Sequence, residues 1–251
     1  MIKFICGKTE QEASIAAANV MADVVKANPS GTLGLATGSS PINMYKELIK
    51  MYEAGEISFK NVKSINLDEY VGLSADHDQS YAYFMSYNFF DHIDIDKKNT
   101  NLPCGLAEDP DAECKRYDGV IESMGGVDIQ LLGIGYNGHI GFNEPGTHFP
   151  KTTTVVELTD STIDANSRFF ASRDLVPTKA LSMGIGHIMS AKKILLVVFG
   201  KGKAEILEKA FFGPVTPAVP ASILQFFKGE VVVCADEDAM SVIKEKHPEL
   251  V

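Results

Sequence analysis

A single α/β domain with a mainly parallel sheet, flanked by helices on both faces, is the architecture the sequence predicts, and three observations predict it. Seven short apolar runs recur along the chain, at Ile2–Cys6, Thr32–Leu35, Val62–Leu67, Ile129–Ile134, Thr153–Leu158, Ile194–Phe199 and Val231–Ala235. Helical patterns separate most of them, and strands that alternate with helices pair in parallel and are covered on both sides. No internal repeat, low-complexity tract or Pro/Ser-rich linker interrupts the 251 residues. Residues 1–251 therefore read as one doubly wound, Rossmann-like domain.

Each element carries its own signal. After the first strand, Thr9-Glu10-Gln11-Glu12 is a capping-box sequence, and Ala13, Ala16, Val20 and Val24 then recur at helical spacing. After the second, Pro41 stands where a first-turn proline belongs, and Met44, Leu48 and Met51 share one face. Ser80 is the expected cap of a helix over Tyr81–Phe90. A longer helix is expected over Asp111–Met124, stopped by Gly125-Gly126. Strand order is written in no local signal.

Composition narrows the function classes. Hydrophobic residues make up 45% of the chain and charged residues 22%, as in ordinary globular proteins. A net charge of -10 argues against a nucleic-acid partner, although a small site can still be locally basic. Cys6, Cys104, Cys114 and Cys234 have no C-x-x-C spacing, which points to reduced structural thiols. The amino terminus is too short in apolar character for a signal peptide, and Ile194–Phe199, the longest clean aliphatic run, cannot span a bilayer. A cytoplasmic protein with no membrane partner is expected.

The most informative stretch is Gly133-Ile-Gly-Tyr-Asn-Gly-His-Ile-Gly-Phe-Asn-Glu-Pro-Gly146, which follows an apolar strand. Loops at the carboxyl ends of parallel strands bind ligands, and His139 with Glu144 on such a loop makes an acid/base pair. Gly133, Gly135 and Gly138 also satisfy the dinucleotide fingerprint, with Glu157 downstream, but the residues from His139 to Pro150 are poor helix material. Thr37, Gly38, Ser39 and Ser40 lie between a strand and a helix and could cradle a phosphate, or simply cap the helix. In Asp68-Glu69, adjacent side chains on extended backbone point opposite ways, so at most one faces a given site. That one could serve as a base; the alternative is a solvated acidic turn. Arg168 and Lys203 are candidate anion ligands, though either could be a surface cation. Asp76-His77-Asp78 and the Asp91–Asp96 alternation lack a recognised metal spacing and read as loop solvation and capping, so no metal is assigned.

Taken together, Leu67-Asp68-Glu69-Tyr70, the Gly133–Gly146 stretch, Ser161-Thr-Ile-Asp-Ala-Asn-Ser-Arg-Phe-Phe170 and Val219-Pro-Ala-Ser-Ile-Leu-Gln225 resemble the glucosamine-6-phosphate deaminases in order and spacing. The Asn-Glu-Pro continuation separates that group from the related 6-phosphogluconolactonases of the same fold. The resemblance implies a reaction without a cofactor, in which glucosamine 6-phosphate and water give fructose 6-phosphate and ammonia. It makes Asp68 the base between C2 and C1, and His139 the residue that assists ring opening, with Glu144 orienting it. Thr37, Gly38, Ser39, Ser40, Gly135, Arg168 and Lys203 would bind the substrate, and residues from about 145 to 170 would form a lid. The family includes monomers and hexamers, so either state is implied. Two departures stand out. Asn137 replaces the aspartate of the hexameric members, which puts a catalytic role for it in question. Thr154 and Val156 occupy positions where allosteric members carry cations, so an unregulated enzyme is expected. A sugar-phosphate sensor is the non-enzymatic rival; it would need a DNA-binding segment and a basic surface.

Overall fold

The computed structural model describes residues 1–168 and 170–248. Phe169, within one of the motifs above, and the last three residues of the expected domain lie outside the described residues. In chain order the elements begin β1 (Ile2–Gly7), α1 (Glu10–Ala27), β2 (Thr32–Leu35), α2 (Ile42–Glu53), β3 (Lys63–Asn66) and β4 (Asp68–Tyr70). They continue with α3 (Tyr81–Asn88), β5 (Thr100–Asn101), α4 (Pro110–Ser123), β6 (Ile129–Leu132), β7 (Thr154–Glu157) and α5 (Asp160–Ser167). The chain closes with β8 (Lys179–Ser182), α6 (Ile185–Ile188), β9 (Lys193–Val198), α7 (Ala204–Phe212), β10 (Glu230–Asp236) and α8 (Glu237–Lys246).

The main sheet has seven strands in the order β1-β10-β9-β6-β2-β3-β5, and every pairing in it is parallel. Its central strands β2, β6 and β9 are almost wholly buried, as expected for strands covered on both faces. From β2 the chain steps outward to β3 and β5, then returns to β6 and proceeds the other way to β9 and β10. The reversal leaves a crevice beyond the carboxyl ends of β2 and β6, the usual ligand position in such sheets.

Some expectations need correction. The Thr153–Leu158 run is not part of the parallel sheet. As β7 it pairs antiparallel with β8, which pairs antiparallel with β4, giving a second sheet of three strands. The Val62–Leu67 run serves both sheets. At Leu67, whose N–H donates to the Leu35 carbonyl while its own carbonyl accepts from Met183, the chain leaves β2 and joins β8. On α1 the buried series is Ala13, Ala17, Met21 and Val25, with Ala16, Val20 and Val24 only half-buried beside it. The helix after Ser80 ends at Asn88 and a short 3-10 turn follows. Pro41 sits at the cap of α2, one residue before its first turn.

The caps hold as read. Thr9 accepts the Glu12 N–H while Glu12 reaches back to Lys8, and Ser80 accepts the Tyr83 N–H. Asp109 closes the start of α4. Among the described residues no helix is long and apolar enough to cross a membrane.

Candidate active site

The loops leaving β2, β6 and β9, the β3–β4 junction and the carboxyl half of α5 meet around one cleft of about 450 Å³. Thr37, Gly38, Ser39, Ser40, Asp68, Gly135, Asn137, His139, Arg168 and Lys203 all line it. Residues predicted from five separate stretches are thus brought together. Glu144 stands just behind the wall, against His139.

Asp68 and Glu69 divide as the alternation of extended backbone requires. Glu69 turns away and accepts the N–H groups of Tyr70, Tyr81 and Ala82, each at 2.9 Å, so it caps α3 from the neighbouring strand. Asp68 is left on the cleft side without such donors. Burial, reinforced by the charge of Glu69, pushes its carboxyl up to about 8. A carboxylate raised in this way is a stronger base than an exposed one.

The His139–Glu144 pair is built within a single loop. Asn137 Nδ2 donates to Glu144 Oε2 at 2.6 Å, and Asn137 Oδ1 accepts the His139 N–H at 3.2 Å. His139 Nδ1 stands 3.5 Å from Glu144 Oε2, close enough for an ion pair but long for a hydrogen bond. Burial would raise the Glu144 carboxyl. Its neighbours His139, Thr162 and Asn137 outweigh that and hold it at about 2, so it is a fixed negative charge. The amide at position 137 uses both of its ends, donating to Glu144 and accepting from the His139 backbone, which an ionised aspartate could not do. A Cβ on Gly135 would lie 2.2 Å from the His139 ring, so this glycine exists to seat the imidazole.

The cationic end is assembled from further elements. No side chain caps α2, so its amino terminus faces the cleft beside Gly38, Ser39 and Ser40 and favours an anion. Lys203 precedes α7 and donates from Nζ to the Ile134 carbonyl at 2.7 Å. Burial pushes it down to about 8. Its loop is fixed by Asp236, which caps α8 and also accepts the Gly200 N–H at 3.0 Å.

Sequence reasoning missed several supports. Thr162 Oγ1 donates to Glu144 Oε1 at 2.5 Å, tying α5 to the acid/base loop. Ser182, at the end of β8, accepts the Phe142 N–H, and Asn143 donates to Ile140 and Met183, which anchors the same loop. Tyr81 and Phe142 add apolar wall. Thr162 lies inside a quoted motif, but nothing in the local pattern indicates a partner 18 residues away. Gly138 has φ +87° and no helix follows it before β7, so the dinucleotide fingerprint lacks its helix. Asp94 is used by Ser58 and Phe59, Asp91 by Lys97, and Asp96 by Lys98, which accounts for the acidic alternation as loop bonding.

The fold and the cleft together are those of an α/β enzyme acting on a small anionic substrate. The chain belongs to the family of glucosamine-6-phosphate isomerases and 6-phosphogluconolactonases, which it matches over residues 8–233. It is 54% identical over 243 residues to the glucosamine-6-phosphate deaminase of Clostridium perfringens strain SM101, covering 97% of this chain and all of that one. To the glucosamine-6-phosphate deaminase of Clostridioides difficile strain 630 it is 51% identical over 235 residues, 94% of each chain. A solved monomeric glucosamine-6-phosphate deaminase superposes with a TM-score of 0.93 at 46% identity, covering 96% of this chain and 99% of that one. The 6-phosphogluconolactonase from Trypanosoma brucei, at 17% identity and a TM-score of 0.73, shares the fold.

Proposed function

We propose that this protein is a glucosamine-6-phosphate deaminase, converting glucosamine 6-phosphate and water to fructose 6-phosphate and ammonia. The observation that carries the reading is the convergence of Asp68, His139 and Lys203 on one cleft. The amino terminus of α2, Ser39, Ser40, Arg168 and Lys203 hold the phosphate. Binding energy from that remote group fixes C2 against Asp68. His139, kept in register by Glu144 and Asn137, moves the proton that opens the pyranose ring. Asp68 then takes the C2 proton and returns it to C1. The aldehyde carbon is thereby reduced to an alcohol while the amine-bearing carbon is oxidised to an imine. Water adds at C2, and ammonia leaves. The substrate's own ammonium, arriving beside Asp68, favours the ionised carboxylate that this step needs.

The chain works as one domain in the cytoplasm, with residues 145–170 closing over the bound sugar. One chain supplies every residue named, so a monomer suffices, and the monomeric solved relative supports that state. The test is to incubate the protein with glucosamine 6-phosphate and measure ammonium and fructose 6-phosphate. Equimolar release of both is expected. Hydrolysis of 6-phosphogluconolactone with no ammonium from the aminosugar would place the chain with the lactonases instead.

A further inference from the structure

We propose that Tyr136 is a positioning residue for the anion end of the cleft, its ring holding the Lys203 ammonium where the substrate phosphate docks. The inference rests on the reading of Lys203 as a phosphate ligand and gives a role to a residue of the Gly133–Gly146 stretch that the resemblance leaves without one. Lys203 Nζ lies 3.6 Å from the centroid of the Tyr136 ring, well inside cation–π range. The same nitrogen donates to the Ile134 carbonyl, so ring and carbonyl grip it from one loop. Both partners are neutral. A carboxylate would hold the ammonium more firmly but would compete with an incoming phosphate, whereas a ring face leaves the full charge available.

The neighbouring loop is shaped for the ring. A Cβ on Gly202, the residue before Lys203, would lie 3.0 Å from Tyr136 Cε1, so the backbone there is bare where the aromatic edge rests. Tyr136 is otherwise 72% exposed, which makes core packing a poor explanation for it. Burial works against the charged form of Lys203, and an electron-rich face beside it works the other way.

The experiment compares Tyr136→Phe, Tyr136→Leu and Tyr136→Ala with wild type. Calorimetric titration with inorganic phosphate is paired with steady-state kinetics on glucosamine 6-phosphate. The Phe variant is expected to match wild type, while Leu and Ala weaken phosphate binding about three- to tenfold. KM should rise by the same factor while kcat stays within about twofold, the pattern of lost uniform binding. Wild-type affinity in the Leu variant would overturn the proposal, since bulk rather than the π face would then suffice. A loss in Phe equal to that in Ala would also overturn it by moving the effect to the hydroxyl. The calorimetric ranking needs no turnover. A wild type that releases no ammonium therefore counts against the deaminase reading and leaves this one to be decided by phosphate alone.

Discussion

At the scale of single residues, the decisive quantity is the charge on Asp68. Asp68→Asn removes the base and should lower kcat/KM by about 10²- to 10⁴-fold with substrate binding still measurable. In the wild type, kcat/KM should rise with pH towards about 8 as the carboxyl ionises. Stability runs the other way. Between the ordinary value of 3.8 and about 8, the native state keeps a proton that the unfolded chain has released. Stability therefore falls as pH rises through that window. Asp68→Asn cannot ionise and escapes the loss, so at pH 9 it should melt above wild type by about 5 °C. The two should converge towards pH 4, and a mutant that melts lower at pH 9 would contradict a buried, strained carboxylate. An inactive yet more stable variant is the signature of a residue kept for chemistry.

At the scale of elements, the caps and loops were legible and the supports behind them were not. Thr9 and Ser80 announce their helices because a cap acts within three residues of itself. β8, reading Lys-Ala-Leu-Ser, has no alternation long enough to stand out, and it becomes a strand only by pairing with β4 and β7. The function of Glu69 was equally hidden, because the helix it caps begins twelve residues later. Glu69→Gln leaves one acceptor oxygen for three N–H groups, so it should cost about 1–3 kcal/mol in denaturant unfolding. Its KM should hardly change. Thr162 tests the coupling of α5 to the site. Thr162→Val keeps the shape and removes the donor to Glu144, a hydrogen bond to a charged group of about 1.5–3 kcal/mol. A loss in kcat/KM of about tenfold or more is expected, with Thr162→Ser close to wild type. Equal losses in both variants would mean that the methyl packing matters and the hydroxyl does not.

At the scale of the whole molecule, the cleft exists because the sheet reverses direction between β2 and β6, and no local pattern records that reversal. Four loops far apart in sequence converge there for topological reasons, which is why the motifs were readable singly while their meeting was implied only by the family resemblance. The same topology makes β7, which lies within the proposed lid, an edge strand of the small antiparallel sheet, with Thr154 paired to Ser182 and Val156 to Ala180. An activating sugar phosphate bound on those strands would need cations to hold it. The sole cation on β7 or β8 is Lys179, and it is engaged with Glu157 at 2.9 Å. Ser182, at the end of β8, is itself committed to the Phe142 N–H of the acid/base loop. An anion there would meet uncharged side chains, the Glu157 carboxylate and one cation already paired with it. Saturation by glucosamine 6-phosphate should therefore be hyperbolic, and N-acetylglucosamine 6-phosphate should leave the initial rate unchanged at subsaturating substrate. A sigmoidal curve that the acetylated sugar phosphate makes hyperbolic would show that the effector finds its cations on other elements, and that β7 and β8 are not where regulation has to be sought.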